Sequence, residues 1–417
     1  MKRILTYWVA VVLVLVSLFN VTACTVSVGA VNLMDNVAPR SVEHISDCSA
    51  YYAAYNDFAL ELLRGSRDGD DNVLLSPLSV LSALAMVANG MQGSTRAELE
   101  SALGMSVNDL NLFLTSYVNS LPEGEKYKLS LANSIWLTDD ERFTVNPDFL
   151  QLNADYYGAD VYKTPLNASA LRDINNWAKL KTDGMIKEVL DDISPYAVMY
   201  LVNALAFEAE WTKYYEDYQV RDGSFTSEDG ERERVELMYS DEHVYLSDDL
   251  ATGFMKYYKG GKYAFVALLP NEGVAVSEYL ASLDGASLAD LLASPEHRTV
   301  KTAIPKFEVE YDTELSRVLS AMGIRDAFDE DNADFTGLGT STDGNIFIGR
   351  VVHKTFIELG ERGTRAGAVT VIEMNDGSAG PPDEIKEVIL DRPFVYMLID
   401  CENNLPFFIG TLMEADD

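Results

Sequence analysis

Histidine and cysteine are scarce in this chain, and their scarcity removes most catalytic and metal chemistry at the outset. There are 4 histidines, His44, His243, His297 and His353, and no two stand at ligand spacing. No HExxH, paired CxxC, GxSxG or Gly-rich phosphate loop ahead of a lysine occurs. The chain therefore reads as a non-enzyme with no metal and no cofactor, and a hydrolase site assembled from distant residues is the enzymatic alternative. With 3 cysteines, Cys24, Cys48 and Cys401, a disulfide framework is out of reach and stability must come from core packing. Cys48 and Cys401 could pair in an oxidising compartment, but nothing in their spacing demands it.

Positive charge is also in short supply. Lys and Arg total 32 against 66 Asp and Glu, a formal net charge of -34. Such a surface repels nucleic acid, heparin-like glycans and anionic headgroups, and fits a general solubility or high-salt adaptation. Linkers rich in Pro, Gly or Ser are missing until Asn375 to Asp383, and no repeat period is visible. One large domain over 48–417 is the simplest division, and apolar residues at 47% are enough for a full core.

Long apolar runs are absent except at the start. Lys2 and Arg3 precede the run Tyr7 to Phe19, which is short beside the roughly 20 residues of a membrane span. Residues 1–24 are read as an export signal ending in Val21-Thr22-Ala23-Cys24, which resembles the lipobox of prokaryotic lipoproteins. Lipid on Cys24 would anchor the protein to a membrane without spanning it, at the cell surface or outside the cell. A plain signal peptide beside a chance cysteine is the alternative. Residues 25–47 lack periodicity and are expected to form a tether.

What remains is a pattern of helices followed by mixed strands. Tyr51 to Leu62 has helical spacing, Ser76-Pro77 opens a second helix that closes near Gly90, and Ser94 is expected to cap a third that ends at Gly104. Lys128 to Leu137, Val198 to Ala206, Tyr263 to Leu269, Thr299 to Tyr311 and Val388 to Cys401 read as strands. The order implies an α+β fold with mainly antiparallel sheets. The acidic run Asp329 to Asp334 has Ala333 where a calcium loop needs an oxygen ligand, so it reads as a solvated turn. Asn167-Ala168-Ser169 is a glycosylation sequon by pattern alone.

One segment asks for more. From Glu361 to Met374 the sequence alternates: Thr364, Ala366, Ala368, Thr370, Ile372 and Met374 are uncharged, while Arg365 and Glu373 take the other parity. As a strand it has one face fit for burial, yet that face begins with small residues, and Gly363 and Gly367 weaken the commitment. The pattern stops at about Met374.

This segment resembles the hinge of the serpins, a family of serine protease inhibitors, at Glu361, Arg362, Gly363, Thr364, Arg365, Ala366, Gly367 and Ala368. The resemblance runs from about Tyr51 onward. It includes Asn72 to Gly104, INNWAKLKTDGMIKEVL, LVNALAFEAEW, HKTFIEL and RPFVYMLIDCENNLPFFIGTL, in the family's order. It implies a serpin fold of three β-sheets and about eight or nine helices with an exposed reactive loop, here about 361–390. It further implies a suicide substrate, in which a protease cuts the loop, becomes acylated, and is trapped when the loop inserts into the main sheet. A non-inhibitory serpin acting as a surface binding or structural protein is the alternative.

By the same resemblance Ser76, Ser79, Asn203 and His353 match a polar cluster that controls sheet opening, and Trp211 matches a tryptophan near loop entry. Counting from the hinge puts the cut at Gly377-Ser378, within Met374 to Ala379. Counting back from Arg392-Pro393-Phe394 puts it near Pro382, and the hinge count is preferred because inserted length sets how far the protease is pulled. No Lys or Arg occurs from Ala366 to Ile385, which disfavours trypsin-like targets and favours elastase-like or subtilisin-like ones. The expected partners are serine proteases, with cysteine proteases as a second class, met by a monomer. Glu208, Ala209 and Val369 depart from the family's usual residues.

Overall fold

The computed structural model describes residues 27–69, 71–141, 143–194, 198–342, 344–364 and 385–415. Among them are nine α-helices: α1 (Tyr52–Ser66), α2 (Pro77–Ala88), α3 (Gly93–Leu103), α4 (Val107–Ser120), α5 (Pro147–Tyr157), α6 (Ala168–Lys181), α7 (Val276–Ser282), α8 (Gly285–Ala293) and α9 (Ser316–Ala321). The strands are β1 (Val31–Asn32), β2 (Val73–Leu75), β3 (Tyr127–Thr138), β4 (Phe143–Val145), β5 (Asp160–Thr164), β6 (Met199–Glu210), β7 (Val220–Thr226), β8 (Arg232–Ser247) and β9 (Ala251–Tyr257). They continue as β10 (Tyr263–Pro270), β11 (Glu296–Pro305), β12 (Phe307–Glu314), β13 (Gly339–Ser341), β14 (Arg350–Gly360), β15 (Gly363–Thr364), β16 (Lys386–Ile389), β17 (Phe394–Asp400) and β18 (Leu405–Leu412).

Three sheets result, the number the resemblance implied, in the α+β class the order of elements implied. A seven-stranded sheet has the order β1-β5-β3-β6-β15-β14-β12, and a nine-stranded sheet runs β16-β11-β8-β9-β10-β17-β18-β2 with β7 beside β8. β13 and β4 form a two-stranded sheet. Residues of β6 divide by parity: Met199, Leu201, Leu205 and Phe207 enter the main core, while Tyr200, Val202 and Ala204 join a second cluster with Trp136, Ile174 and Trp177. The period of two thus assigns one face to α2 and the other to α6.

Local chemistry sets both helices. Ser76 caps α2 by accepting from the Ser79 amide, with Pro77 at the first helical position, and every residue of α2 is buried. A helix apolar all round has to be central, and this one is. Asn167 caps α6 by accepting from the Ser169 amide, so the sequon residues serve as a helix start. Asp329 accepts from the Asp331 and Asn332 amides, a self-contained turn.

Four expectations need correction. Ser94 lies inside α3, whose N-cap is Gln92; a backbone bond from Gln92 to Asp334 sets that start, a tertiary contact no local pattern reports. Thr299 to Tyr311 is two strands in different sheets, because the chain changes sheets at Lys306, just after Pro305. Val388 to Cys401 is likewise split, with Arg392-Pro393 between β16 and β17. The 25–47 tether is not free from Ser27 on. β1 pairs with β5, Arg40 bonds Asp155, and the Ile45 amide donates to Ser116. Polar side chains of the body hold an arm that has no helical or strand period of its own.

Candidate functional site

The seven-stranded sheet is closed at one end and forked at the other. β6 and β14 are parallel neighbours for five rungs, Tyr200 with Arg350 through Ala204 with Lys354. Beyond these, Leu205 to Glu208 and Thr355 to Glu358 make no pair with each other. At the mouth of the fork β15 enters antiparallel between them: Thr364 pairs with Ala209 and Leu359, and Gly363 with Glu210 and Gly360. Between β15 and the last closed rung lies a slot of ≈ 10 Å³, lined by Leu205, Ala206, Phe207, Phe356, Ile357 and Glu358 and overlain by Met185 and Ile186. That is room for about one water, so the strands must part before any chain can enter.

Gly363 is required at the mouth. Its φ is +144°, and a Cβ would stand 2.0 Å from the Ala209 carbonyl oxygen. No other residue fits so close an approach of two backbones. Thr364 follows, 2% exposed, with its hydroxyl on the Tyr258 hydroxyl. Two residues of the predicted hinge therefore already lie in the sheet. Glu361 and Arg362 form the turn outside it. Arg365, Ala366, Gly367 and Ala368, the scissile candidates Gly377 and Ser378 with their range Met374 to Ala379, and Cys24 lie outside the described residues.

At the apex of the fork the structure brings together Ser76, Ser79, Asn203 and His353. His353 and Asn203 occupy the fourth closed rung, one step below the split. The imidazole Nε2 accepts from the Ser76 backbone N–H at 3.0 Å, which leaves Nδ1 as the protonated nitrogen, donating to Asn203 Oδ1 at 2.7 Å. One ring thus ties β14, β6 and the start of α2. Burial takes its pKa down to about 3, so the ring is neutral at neutral pH. Ser79 Oγ and Asn203 Nδ2, both buried, have no hydrogen-bond partner among the described residues. Each such group costs about 1–3 kcal/mol.

Trp211 sits where β15 enters. Its indole N–H donates to the Gly360 carbonyl at 2.9 Å and its amide to the Arg362 carbonyl at 2.8 Å, while the Tyr215 amide donates to Glu361 at 3.0 Å. The indole stacks on Tyr258 with ring centres 4.3 Å apart. Lys306 pairs with Glu361 and, at 2.8 Å, with Glu236. Burial alone would raise the Glu361 carboxyl, but the Lys306 hydrogen bond and charge outweigh it and hold the group below its ordinary value. Beneath, the buried Lys256 pairs with Glu242 at 2.7 Å and lies 4.4 Å over the Tyr215 ring.

Sequence reading missed Tyr215, Tyr258, Lys306, Lys256 and Glu242. None belongs to a local motif, and the one available hint for Lys306 was its place after Pro305. Cys48 and Cys401 are both free thiols.

A family model described as Serpin (serine protease inhibitor) matches residues 53–415. An uncharacterized serpin-like protein of Thermococcus kodakarensis is 28% identical over 373 residues, covering 87% of this chain and 85% of the relative. Leukocyte elastase inhibitor A of Mus musculus is 29% identical over 371 residues, covering 85% and 96%. The crystal structure of tengpin, a thermophilic serpin, in its native state superposes with a TM-score of 0.88 at 44% identity, covering 92% of this chain and 99% of tengpin. The same protein in its latent state gives 0.79 at 41% identity, covering 90% and 100%. The higher score with the native form agrees with a sheet whose two central strands, among the described residues, part beyond Ala204 and Lys354.

Proposed function

The chain belongs to the serpin family, and on that premise we propose that it inhibits serine proteases as a suicide substrate. One observation carries the reading: two residues of the hinge, Gly363 and Thr364, stand at the mouth of a fork whose edges, Leu205 to Glu208 and Thr355 to Glu358, make no pair with each other and can accept a strand. The alternation begun at Thr364 continues in sequence through Ala366, Ala368 and Thr370, so the residues that follow it inward are small. An inserting strand of roughly 14 residues rises about 3.3 Å per residue, and carries an acylated protease on the order of 45 Å along the sheet. His353, Asn203 and Trp211 control when the sheet opens, by the bonds they make at the apex and the mouth.

The target is elastase-like or subtilisin-like, because no cation lies between Ala366 and Ile385 for a trypsin-like pocket. The protein acts outside the cell, held at the surface by lipid on Cys24. The test incubates the purified chain with elastase-, subtilisin- and trypsin-type proteases. The expected outcome is a detergent-stable complex with the first two, and a C-terminal peptide whose mass gives a cut within Met374 to Ala379. Cleavage by all three without a complex would replace inhibition by the non-inhibitory reading.

A further inference from the structure

We propose that the outer face of α6 is the surface this protein lays against an anionic membrane. The proposal rests on the reading that Cys24 carries lipid, and follows from where the arm goes after it. Ser27 is not at the end of a spacer. Its carbonyl oxygen accepts from Asn176 Nδ2 at 3.1 Å, and the Gly29 amide donates to Asp173 Oδ1 at 3.0 Å. Val28 and Ala30 pack on the cluster beneath α6. Only Thr25 and Val26 separate Cys24 from Ser27, so the anchor lies within roughly 11 Å of the α6 surface along even a fully extended chain.

The helix presents a distinct face at that point. Ala170, Ile174, Trp177 and Ala178 are buried. Asn176 shares the opposite side with Arg172, Lys179 and Leu180, at spacings of four, three and four. These three are exposed, Leu180 to 47%, and neither Arg172 nor Lys179 has an ion-pair partner among the described residues. Within the helix itself, Ala168–Lys181, there are three basic residues (Arg172, Lys179, Lys181) and one acidic one (Asp173), a balance of 3 − 1 = +2 in a chain of -34.

Charge then selects the orientation. A surface this acidic is repelled by anionic lipid within a Debye length of about 8–10 Å, the same scale as the anchor's reach. The α6 face is the one the anchor can hold down against that repulsion, with Arg172 and Lys179 meeting headgroups and Leu180 meeting the interface. The mouth of the fork stays accessible, since α6 covers β6 at Tyr200 to Ala204 while β15 enters at Ala209 and Glu210.

The test uses the full mature chain, produced with its leader in a bacterial host. Metabolic lipid labelling of the wild type and of Cys24→Ser comes first: label on the wild type alone supports the anchor, and no label overturns the anchor and the orientation with it. A dye is then clicked onto an unnatural residue at position 180 or, as a control, at the exposed position 290 on α8. Energy transfer to a headgroup acceptor is read in phosphatidylglycerol vesicles. Transfer several-fold stronger from 180 than from 290, lost when a long Gly-Ser insert separates Cys24 from Ser27, supports the orientation. Arg172→Glu with Lys179→Glu should shrink the difference on phosphatidylglycerol and not on phosphatidylcholine alone. A lipidated chain with equal transfer from both positions would leave the anchor standing and overturn the orientation.

Discussion

Two halves of one seam behave differently. Along Tyr200 to Ala204 and Arg350 to Lys354 the strands β6 and β14 are hydrogen-bonded, covered by α6 and clamped by His353; along Leu205 to Glu208 and Thr355 to Glu358 they face each other without pairing. The residues themselves do not explain it, for both halves of β6 are mainly apolar, with one polar residue each, Asn203 and Glu208. The difference is in what holds them: a neutral imidazole under the closed half, a two-residue wedge and an indole at the open end. A fold can therefore keep a sheet short of its best-paired state by controlling its two ends and not its middle.

The comparison breaks most severely if the wedge is charged. Thr364→Arg would bury a cation beside Tyr258 with no acidic partner among the described residues, a cost of several kcal/mol to any state that seats residue 364 in the sheet, before or after cleavage. We expect the detergent-stable complex to vanish and the chain to be cleaved as a substrate, read by gel, with the melting temperature as control for folding. His353→Ala is expected next in size. It strands the Ser76 N–H and Asn203 Oδ1, costing about 2–6 kcal/mol in all, and should lower the melting temperature and speed loop insertion or polymerisation on warming.

The closed half should also answer to pH. Because His353 titrates near 3 when folded against 6.5 when free, the unfolded chain takes up the proton first as pH falls. The contribution of the neutral ring is complete above about pH 6.5 and is lost between there and about pH 3. Melting temperatures of the wild type minus those of His353→Gln should shrink over that window, whatever the carboxylates do in both.

Trp211→Phe keeps the stack on Tyr258 but removes the bond to Gly360, a loss of about 1 kcal/mol that should show as a modest rise in the rate of spontaneous insertion. The smallest effect belongs to Glu361→Gln. Its pair with Lys306 is partly exposed, worth about 0–1 kcal/mol, and the change should fade in high salt.

How far the sequence could be read depends on how local each cause is. Ser76-Pro77 announces α2 because a cap and a proline act within one turn. The parity of Thr364 predicts its burial because strand faces alternate. The fork was not legible, since its edges are some 150 residues apart in the chain and nothing local marks where pairing stops at Ala204 and Lys354. The pair of Lys306 with Glu361 and the docking of Ser27 to Asn176 belong to the same class of long-range contact.

The fork reverses a familiar order of protection. In most sheets the central strands hold their amide protons longest and the edges lose them first. Here Leu205 to Glu208 and Thr355 to Glu358 belong to the middle of a seven-stranded sheet and make no ladder with each other. Deuterium should therefore enter this molecule near its centre sooner than along the outer pair of β12 with β14, and a cleaved, filled sheet should close that door.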